Sequence, residues 1–372
     1  MHEKRFHIFF HDDIDGIVSA AMVLTSFVRK HSYRLYPVKS AIRGDKFNKL
    51  IEKVEGGDNN TIIIVDYQFN ERAHIWVDHH FDKDLGNHVV KNGKLFYDPN
   101  AKSAARVIYN WFQDDPILKG TINPAIITMV DLIDSAGYAS VDYVFSSLEP
   151  LMILKAYIER LSVFVDSTFS RLVELISLYN FDINKVLFTL GVDYHIIHDL
   201  KQSAESIEKV MVINGCMGVT EMNRLYAYPR YAEFFVRPDV KYCVRIINLG
   251  GERIHIDIGY NSWHVKPNHL HIGKMLGALD YPISGGGHPG VGGAIIHESD
   301  LERFIDDACV QINGPEDSVD MEKYAVDKTD PIEEKADEMV KTGQAESKDK
   351  AREEAVKKEE GGKPEDVQGT DI

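Results

Sequence analysis

The chain has 372 residues, 44% of them hydrophobic, which is enough for more than one core. Its formal net charge of −16 excludes tight, nonspecific gripping of long nucleic acid by the whole surface, because that affinity comes from Lys and Arg neutralising phosphates. No apolar run approaches the roughly 20 residues needed to cross a bilayer. The opening MHEKRFHIFFHDD turns polar after a stub too short for a signal peptide, and Cys216, Cys243 and Cys309 lack metal-like or disulfide-like spacing. The expectation is a soluble cytoplasmic protein with no membrane contact and no redox chemistry.

From about residue 6 to 135, short β-branched or aromatic runs alternate with helical patterns. FHIFF is followed by a helix from about Gly16 to Lys30, then come YRLYPV, a helix near Lys46 to Val54, TIIIV and HIWV. Such alternation predicts a parallel α/β sheet, in which ligands gather at the carboxyl ends of the strands. Residues 150–212 read as a helical connector with apolar stripes, which serve equally well as monomer packing or as a homodimer surface. Strands are predicted again at VMVI, AEFFV, YCVRIINLG and RIHIDIGY. A helix follows around Ile272 to Leu279, then the loop SGGGHPGVGG, the strand AIIH, and a closing helix from about Asp300 to Ile312. Residues 315–372, rich in Glu, Lys and Asp, cannot bury enough surface to offset their ordering entropy and are predicted to be a disordered charged tail, whose partner the sequence does not name.

Four acidic strings fall within the first third: HDDIDG (His11 to Gly16), VDYQ (Val65 to Gln68), VDHH (Val77 to His80) and MVDLID (Met129 to Asp134). The first three follow FHIFF, TIIIV and HIWV directly. Packing that many anions at one sheet edge is unfavourable unless cations lie between them. In an extended strand end, residues two apart share a side, so His11, Asp13 and Asp15 can face one site, and Gly16 permits a tight turn into the helix. Carboxylates with some imidazole suit hard or borderline divalent ions, Mn(II) first and Mg(II) second. Taken alone, DxDG is as readily a helix cap, but VDHH after a strand, in order with the other strings, is far less common by chance.

These four strings resemble the motifs of the DHH phosphoesterase superfamily. The resemblance implies that Asp13, Asp15, Asp66, His79 and Asp131 are metal ligands, with Asp66 bridging two divalent ions. It also implies that His80 faces the scissile phosphate and Asp78 orients the neighbouring histidine. Here His11 stands two residues before Asp13, where several branches of that superfamily place a histidine four before it; His11 is carried as a sixth ligand. In the fourth string Asp134 lies one turn from Asp131 on the same helix face, and Asp131 is preferred.

The string from Ser284 to Ala294 holds three consecutive glycines, which allow a backbone to approach a ligand and form an anion nest, with His288 adding a polar contact. Its late position resembles the DHH-associated C-terminal domain, and that implies substrate contacts from Gly285, Gly286, Gly287 and His288. Lys102 and Arg106 stay undecided as phosphate contacts.

The combined expectation is an α/β protein with a parallel-sheet DHH catalytic domain (1–149), the helical connector (150–212), a smaller α/β substrate-binding domain (213–314) and the tail (315–372). Its expected activity is metal-dependent hydrolysis of phosphodiester or phosphomonoester bonds in a short oligonucleotide or small nucleotide. The types in view are a nanoRNase, a dinucleotide phosphodiesterase and a phosphatase of 3′-phosphoadenosine 5′-phosphate. The alternatives are a RecJ-like single-strand exonuclease, a polyphosphate hydrolase, and a non-catalytic nucleotide-sensing protein.

Overall fold

A computed structural model describes residues 4–39, 42, 44–55, 59–80, 93–112, 120–161, 166–207, 211–213, 217–222, 229–264, 270–287 and 290–313. The predicted tail and His288 lie outside them. The chain divides into two compact units: one holds residues 1–208 and 228–236, the other residues 209–227 and 237–372.

The first unit is built on a five-stranded parallel sheet of β1 (Arg5–His11), β2 (Ser32–Val38), β3 (Asn60–Val65), β4 (Ile75–Asp78) and β5 (Lys94–Tyr97), in the order β2-β1-β3-β4-β5. Strands that are apolar on both faces become central, and Ile8, Phe9, Phe10, Ile63, Ile64 and Val65 are all fully buried. One side of the sheet is closed by Phe9, Ile62, Ile64 and Trp76, packed with Phe47 and Ile51 of α2 (Asp45–Glu55). Helix α1 (Ile14–Val23) is buried along its whole length, as expected of a helix with no polar face, and continues as a π-helical turn, Leu24–Val28. It packs against α3 (Ala104–Trp111) and α4 (Pro124–Asp134).

The register decides where the chemistry goes. Phe10 pairs with Val65, and Val65 pairs with Val77, so His11 and Asp78, the last residues of β1 and β4, and Asp66, the first after β3, fall together at the carboxyl edge of the sheet.

The remaining helices of this unit among the described residues are α5 (Val141–Ser146), α6 (Pro150–Arg160), α7 (Asp166–Leu178), α8 (Ile183–Leu190), α9 (His195–Glu205) and α10 (Ala232–Val236). The last corrects the strand expected at AEFFV. Ala232, Glu233 and Phe234 are consecutive and buried, a pattern that does not alternate and therefore suits a helical turn packed against α9.

The second unit holds a six-stranded mixed sheet of β6 (Met211–Ile213), β7 (Met217–Met222), β8 (Tyr242–Asn248), β9 (Arg253–Tyr260), β10 (Ser284–Gly287) and β11 (Val291–His297), in the order β10-β11-β9-β8-β7-β6. Ile256, Ile258, Val244 and Ile296 form its core with Ile272, Met275 and Leu276 of α11 (Ile272–Ala278) and Phe304 of α12 (Leu301–Asn313). Part of the glycine stretch expected as a loop is strand: Gly285 to Gly287 pair with Ala294 to Gly292. Cys243 and Cys309 are buried and form no disulfide.

Candidate metal centre

The first acidic string turns directly from β1 into α1. Asp13 is the N-cap of α1, its Oδ1 accepting from the Gly16 N–H at 3.0 Å. Gly16 is required by space: a Cβ there would lie 2.2 Å from the His11 carbonyl oxygen and 2.7 Å from its nitrogen, both backbone atoms that cannot move aside.

Asp15, in the first turn of α1, points at the start of α3. Its Oδ2 accepts from the Ala104 N–H (2.6 Å), and its Oδ1 from the Ala105 N–H (2.8 Å) and the Ser19 hydroxyl (3.2 Å). Asp66 follows β3 with a left-handed φ of 52°, a conformation that Asp tolerates better than most residues and that turns the chain at the sheet edge. Asp78 ends β4. Its Oδ1 accepts from the backbone N–H of His79 (2.7 Å) and of His80 (3.2 Å), and lies 2.8 Å from Nδ1 of His80. Nδ1 of His79 lies 3.1 Å from the Ala101 carbonyl oxygen. A carbonyl only accepts, so Nδ1 carries the proton and Nε2 is left to act as a ligand.

These side chains form three overlapping groups in which one nitrogen or oxygen from each residue lies within 4.8 Å of the others: His11, Asp13 and Asp66; Asp15, His79 and Asp134; and Asp66, Asp78, His79 and His80. Nδ1 of His11 is 2.7 Å from Asp13 Oδ2 and 3.6 Å from Asp66 Oδ2. Nε2 of His79 is 3.2 Å from Asp134, 3.7 Å from Asp15 and 3.9 Å from Asp66. Nδ1 of His80 is 3.7 Å from Asp66 Oδ1.

The electrostatics show an assembly of acids under strain. Burial, then the charges of Asp15 and Asp13, push the Asp66 carboxyl well above the usual range. Burial and the neighbouring Asp134 push Asp15 up to about 7. Burial would also raise Asp13, but the charge and hydrogen bond of His11, with help from the Gly16 N–H and Arg230, hold it well below. Burial draws both His79 and His11 downward and is outweighed: Asp134 and Asp15 lift His79 to about 9, and Asp13 and Asp66 lift His11.

Both oxygens of Asp66 and Nε2 of His79 are buried with no hydrogen-bond partner. Buried polar atoms are nearly always satisfied, and three such atoms facing one another among carboxylates fit cations as the missing partner. The donors are carboxylate and imidazole, and a thiolate is absent from all three groups.

Asp131 belongs to none of these groups, although the sequence placed it among the ligands. Its carboxylate accepts from Ser103 Oγ (2.6 Å) at Oδ1 and from Arg106 Nε (2.9 Å) and Arg106 NH2 (2.6 Å) at Oδ2. Ser103 is the N-cap of α3, accepting from the Arg106 N–H at 3.0 Å. Asp131 thus fastens α4 to the start of α3, and Asp134, one turn further along α4, faces His79. Arg106 is engaged by Asp131.

Beside the acids lies a cavity of about 420 Å³, entirely within the first unit. His11, Asp13, Asp15 and Asp134 line it, as do Lys39, Lys155, Glu159 and Arg230, with apolar surface from Ile158, Leu161 and Phe169. Sequence pattern does not mark these residues, apart from a lysine and a glutamate interrupting the apolar periodicity of LMILKAYIER. Of the glycine stretch, Gly285, Gly286 and Gly287 lie on β10. A Cβ on Gly285 would come within 3.2 Å of the Leu276 carbonyl oxygen of α11, while one on Gly286 would meet nothing within 4 Å.

Neither a family model nor a curated protein matches the chain by sequence. Solved structures do match by fold. A pGpG-specific phosphodiesterase, PggH from Vibrio cholerae, aligns with a TM-score of 0.59 and 18% identity over 84% of this chain and 99% of that one. The DHH domain of a member of the s1p family of ribosomal proteins aligns at 0.47 and 12% identity over 82% of this chain and 85% of that one. The exonuclease RecJ bound to manganese aligns at 0.48 and 12% identity over 86% of this chain and 94% of that one. The chain, with its parallel sheet and its second, mixed sheet, shares the fold of the phosphodiesterase PggH.

Proposed function

We propose that the protein is a metal-dependent phosphoesterase acting on short oligonucleotides or small nucleotides. The observation that carries this reading is the set of buried, unpartnered ligand atoms on Asp66 and His79. One divalent ion would be held by His11, Asp13 and Asp66, a second by Asp15, Asp66, His79 and Asp134, with Asp66 shared. Asp134 is proposed in the place expected of Asp131 from the fourth string. Mn(II) is the first choice and Mg(II) the second, since the donors are carboxylate and imidazole. Two such ions, when bound, supply Lewis acidity toward a phosphate and lower the pKa of water toward neutrality.

The remaining roles belong to the chain. Asp78 accepts from the backbone of His79 and His80 and fixes the His80 ring through Nδ1, so the imidazole is oriented before any substrate arrives. Burial lowers the affinity of His80 for its proton, but the hydrogen bond and charge of Asp78 outweigh it, so His80 holds a proton more tightly than a free imidazole and is suited to stabilise negative charge on a phosphate. Gly285, Gly286, Gly287 and His288 are proposed as phosphate or nucleotide contacts from the second unit, and the catalytic role is assigned to the first. The fold neighbour PggH is named for pGpG, which makes a linear dinucleotide the first substrate to try.

The test is release of mononucleotide or phosphate from pGpG, pApA, 3′-phosphoadenosine 5′-phosphate and a 15-mer, with manganese and with chelator. Turnover of the short substrates that chelator abolishes is expected. Full turnover by Asp13→Ala, with its fold intact, would refute the site.

A further inference from the structure

The lining of the cavity also carries a charged pair, Lys155 and Glu159, that metal chemistry does not use. On α6, Lys155 Nζ donates to Glu159 Oε1 at 2.8 Å, with side-chain exposures of only 8% and 24%. Its helical neighbours Leu151, Met152, Leu154, Ala156 and Ile158 are buried. An ion pair drawn out of water is not a device for stability, since an apolar pair of similar volume serves as well or better. A pair kept at a cavity wall therefore calls for a role in the cavity.

Glu159 belongs to none of the three ligand groups. Among the described residues its hydrogen-bond partner is Lys155, which uses one of about four acceptor positions on the carboxylate and holds it in place. A fixed carboxylate repels phosphate and matches an uncharged group rich in N–H donors. Ile158, Leu161 and Phe169 supply apolar surface beside it, of the kind on which the face of a base rests. Arg230 lines the same cavity as Glu159 and Asp13 and feels the charge of both, which suits it to meet a sugar-phosphate there. The volume, about 420 Å³, is within the range of small-ligand pockets.

We infer that this wall is a nucleoside subsite in which Glu159 reads a base offering two adjacent N–H donors, which among the common bases is guanine. The N1–H and N2–H groups of guanine pair with the two oxygens of a carboxylate. Adenine and cytosine set a ring-nitrogen acceptor beside their amino group, and uracil flanks its N–H with carbonyls. The inference rests on the metal-centred reading above and adds a base preference to it.

The experiment is calorimetric titration of the full chain with GMP, AMP and UMP in the presence of Mn(II), together with a titration by Mn(II) alone, for the wild type and Glu159→Gln. GMP is expected to bind at least about 10-fold tighter than AMP or UMP, as one good bidentate contact allows. Glu159→Gln should bring GMP to the level of AMP and leave Mn(II) binding unchanged. If the substitution destabilises the fold by stranding Lys155, Glu159→Gln combined with Lys155→Met should keep AMP binding and lose the guanine preference. Equal binding of the three nucleotides by the wild type, equal weakening of all three by Glu159→Gln, or Mn(II) binding with no nucleotide binding would overturn the subsite and leave the metal centre standing. Absence of Mn(II) binding would overturn both.

Discussion

The carboxyl edge of the parallel sheet and the glycine hairpin of the second unit were both marked in the sequence as places where a ligand comes close, yet they differ in what the close approach is for. At the sheet edge, Gly16 lets α1 press on the backbone of His11, and the result is a group of acids and imidazoles with buried atoms left unpartnered. In the hairpin, Gly285 and Gly292 make room for α11, and a Cβ on Gly290 would lie 2.1 Å from the Tyr260 ring, so much of that glycine requirement is met by internal packing. An unmet demand for a partner is what distinguishes a site from a tight fit.

The sharpest way to break that contrast is Asp66→Ala. Loss of a carboxylate shared by both proposed ions should cost activity more than the roughly 100-fold typical of an outer-shell partner, and should remove the rise in Tm on adding Mn(II). The metal-free variant should melt higher than the metal-free wild type, because one of several mutually repelling buried carboxylates is gone. A lower Tm would mean that the acids are balanced without metal.

Gly16→Ala comes next and acts on the fold. Its Cβ meets backbone, so a loss of about 2–4 kcal/mol in urea unfolding is expected. Gly286→Ala meets no atom within 4 Å, but its φ of 158° is one that side chains rarely adopt, so a smaller loss of about 1–3 kcal/mol from backbone strain is expected there.

The two acids of α4 separate in the same manner. Asp134→Asn should weaken Mn(II) binding with little change in metal-free stability. Asp131→Asn should cost about 1–3 kcal/mol by loosening Arg106 and Ser103, with a smaller effect on Mn(II). If Asp131→Asn proved the more damaging to metal affinity, the assignment of Asp134 would fail.

The smallest effect expected is a pH dependence. Asp15 rises from 3.8 to about 7 in the fold, and His79 from 6.5 to about 9. Both groups bind their protons more tightly when folded, so their contribution to stability is present at low pH and is lost as pH rises, across about 4 to 7 for Asp15 and about 6.5 to 9 for His79. The Tm of metal-free protein should therefore fall between pH 5 and 9. The increment from Mn(II) should grow over the same range, because the ligands must release protons to bind it. A metal-free Tm flat across that window would contradict the coupling.

Much of the site was legible because it is local. His11, Asp13 and Asp15 are fixed by one strand-to-helix turn, and Asp78, His79 and His80 by the end of one short strand. Asp66 follows a run of isoleucines that could only be a buried strand. AEFFV was misread because a five-residue apolar run has no period long enough to separate strand from helix, and its packing against α9 decided the matter. Asp131 was preferred over Asp134 because the two share a helix face, and a turn of helix separates them by less than sequence pattern resolves.

The sequence by itself determined the strand and helix alternation of the first unit, the parallel character of its sheet and the gathering of acids and imidazoles at its edge, since strand patterning, turn glycines and clustered acids are all short-range signals. Only the tertiary structure decided that Arg106 and Ser103 occupy Asp131, that Asp134 meets His79, and that Lys155, Glu159 and Arg230 join the acids around one cavity. Those pairings link residues far apart in the chain, and which partner a charge meets depends on the helix packing that brings it there.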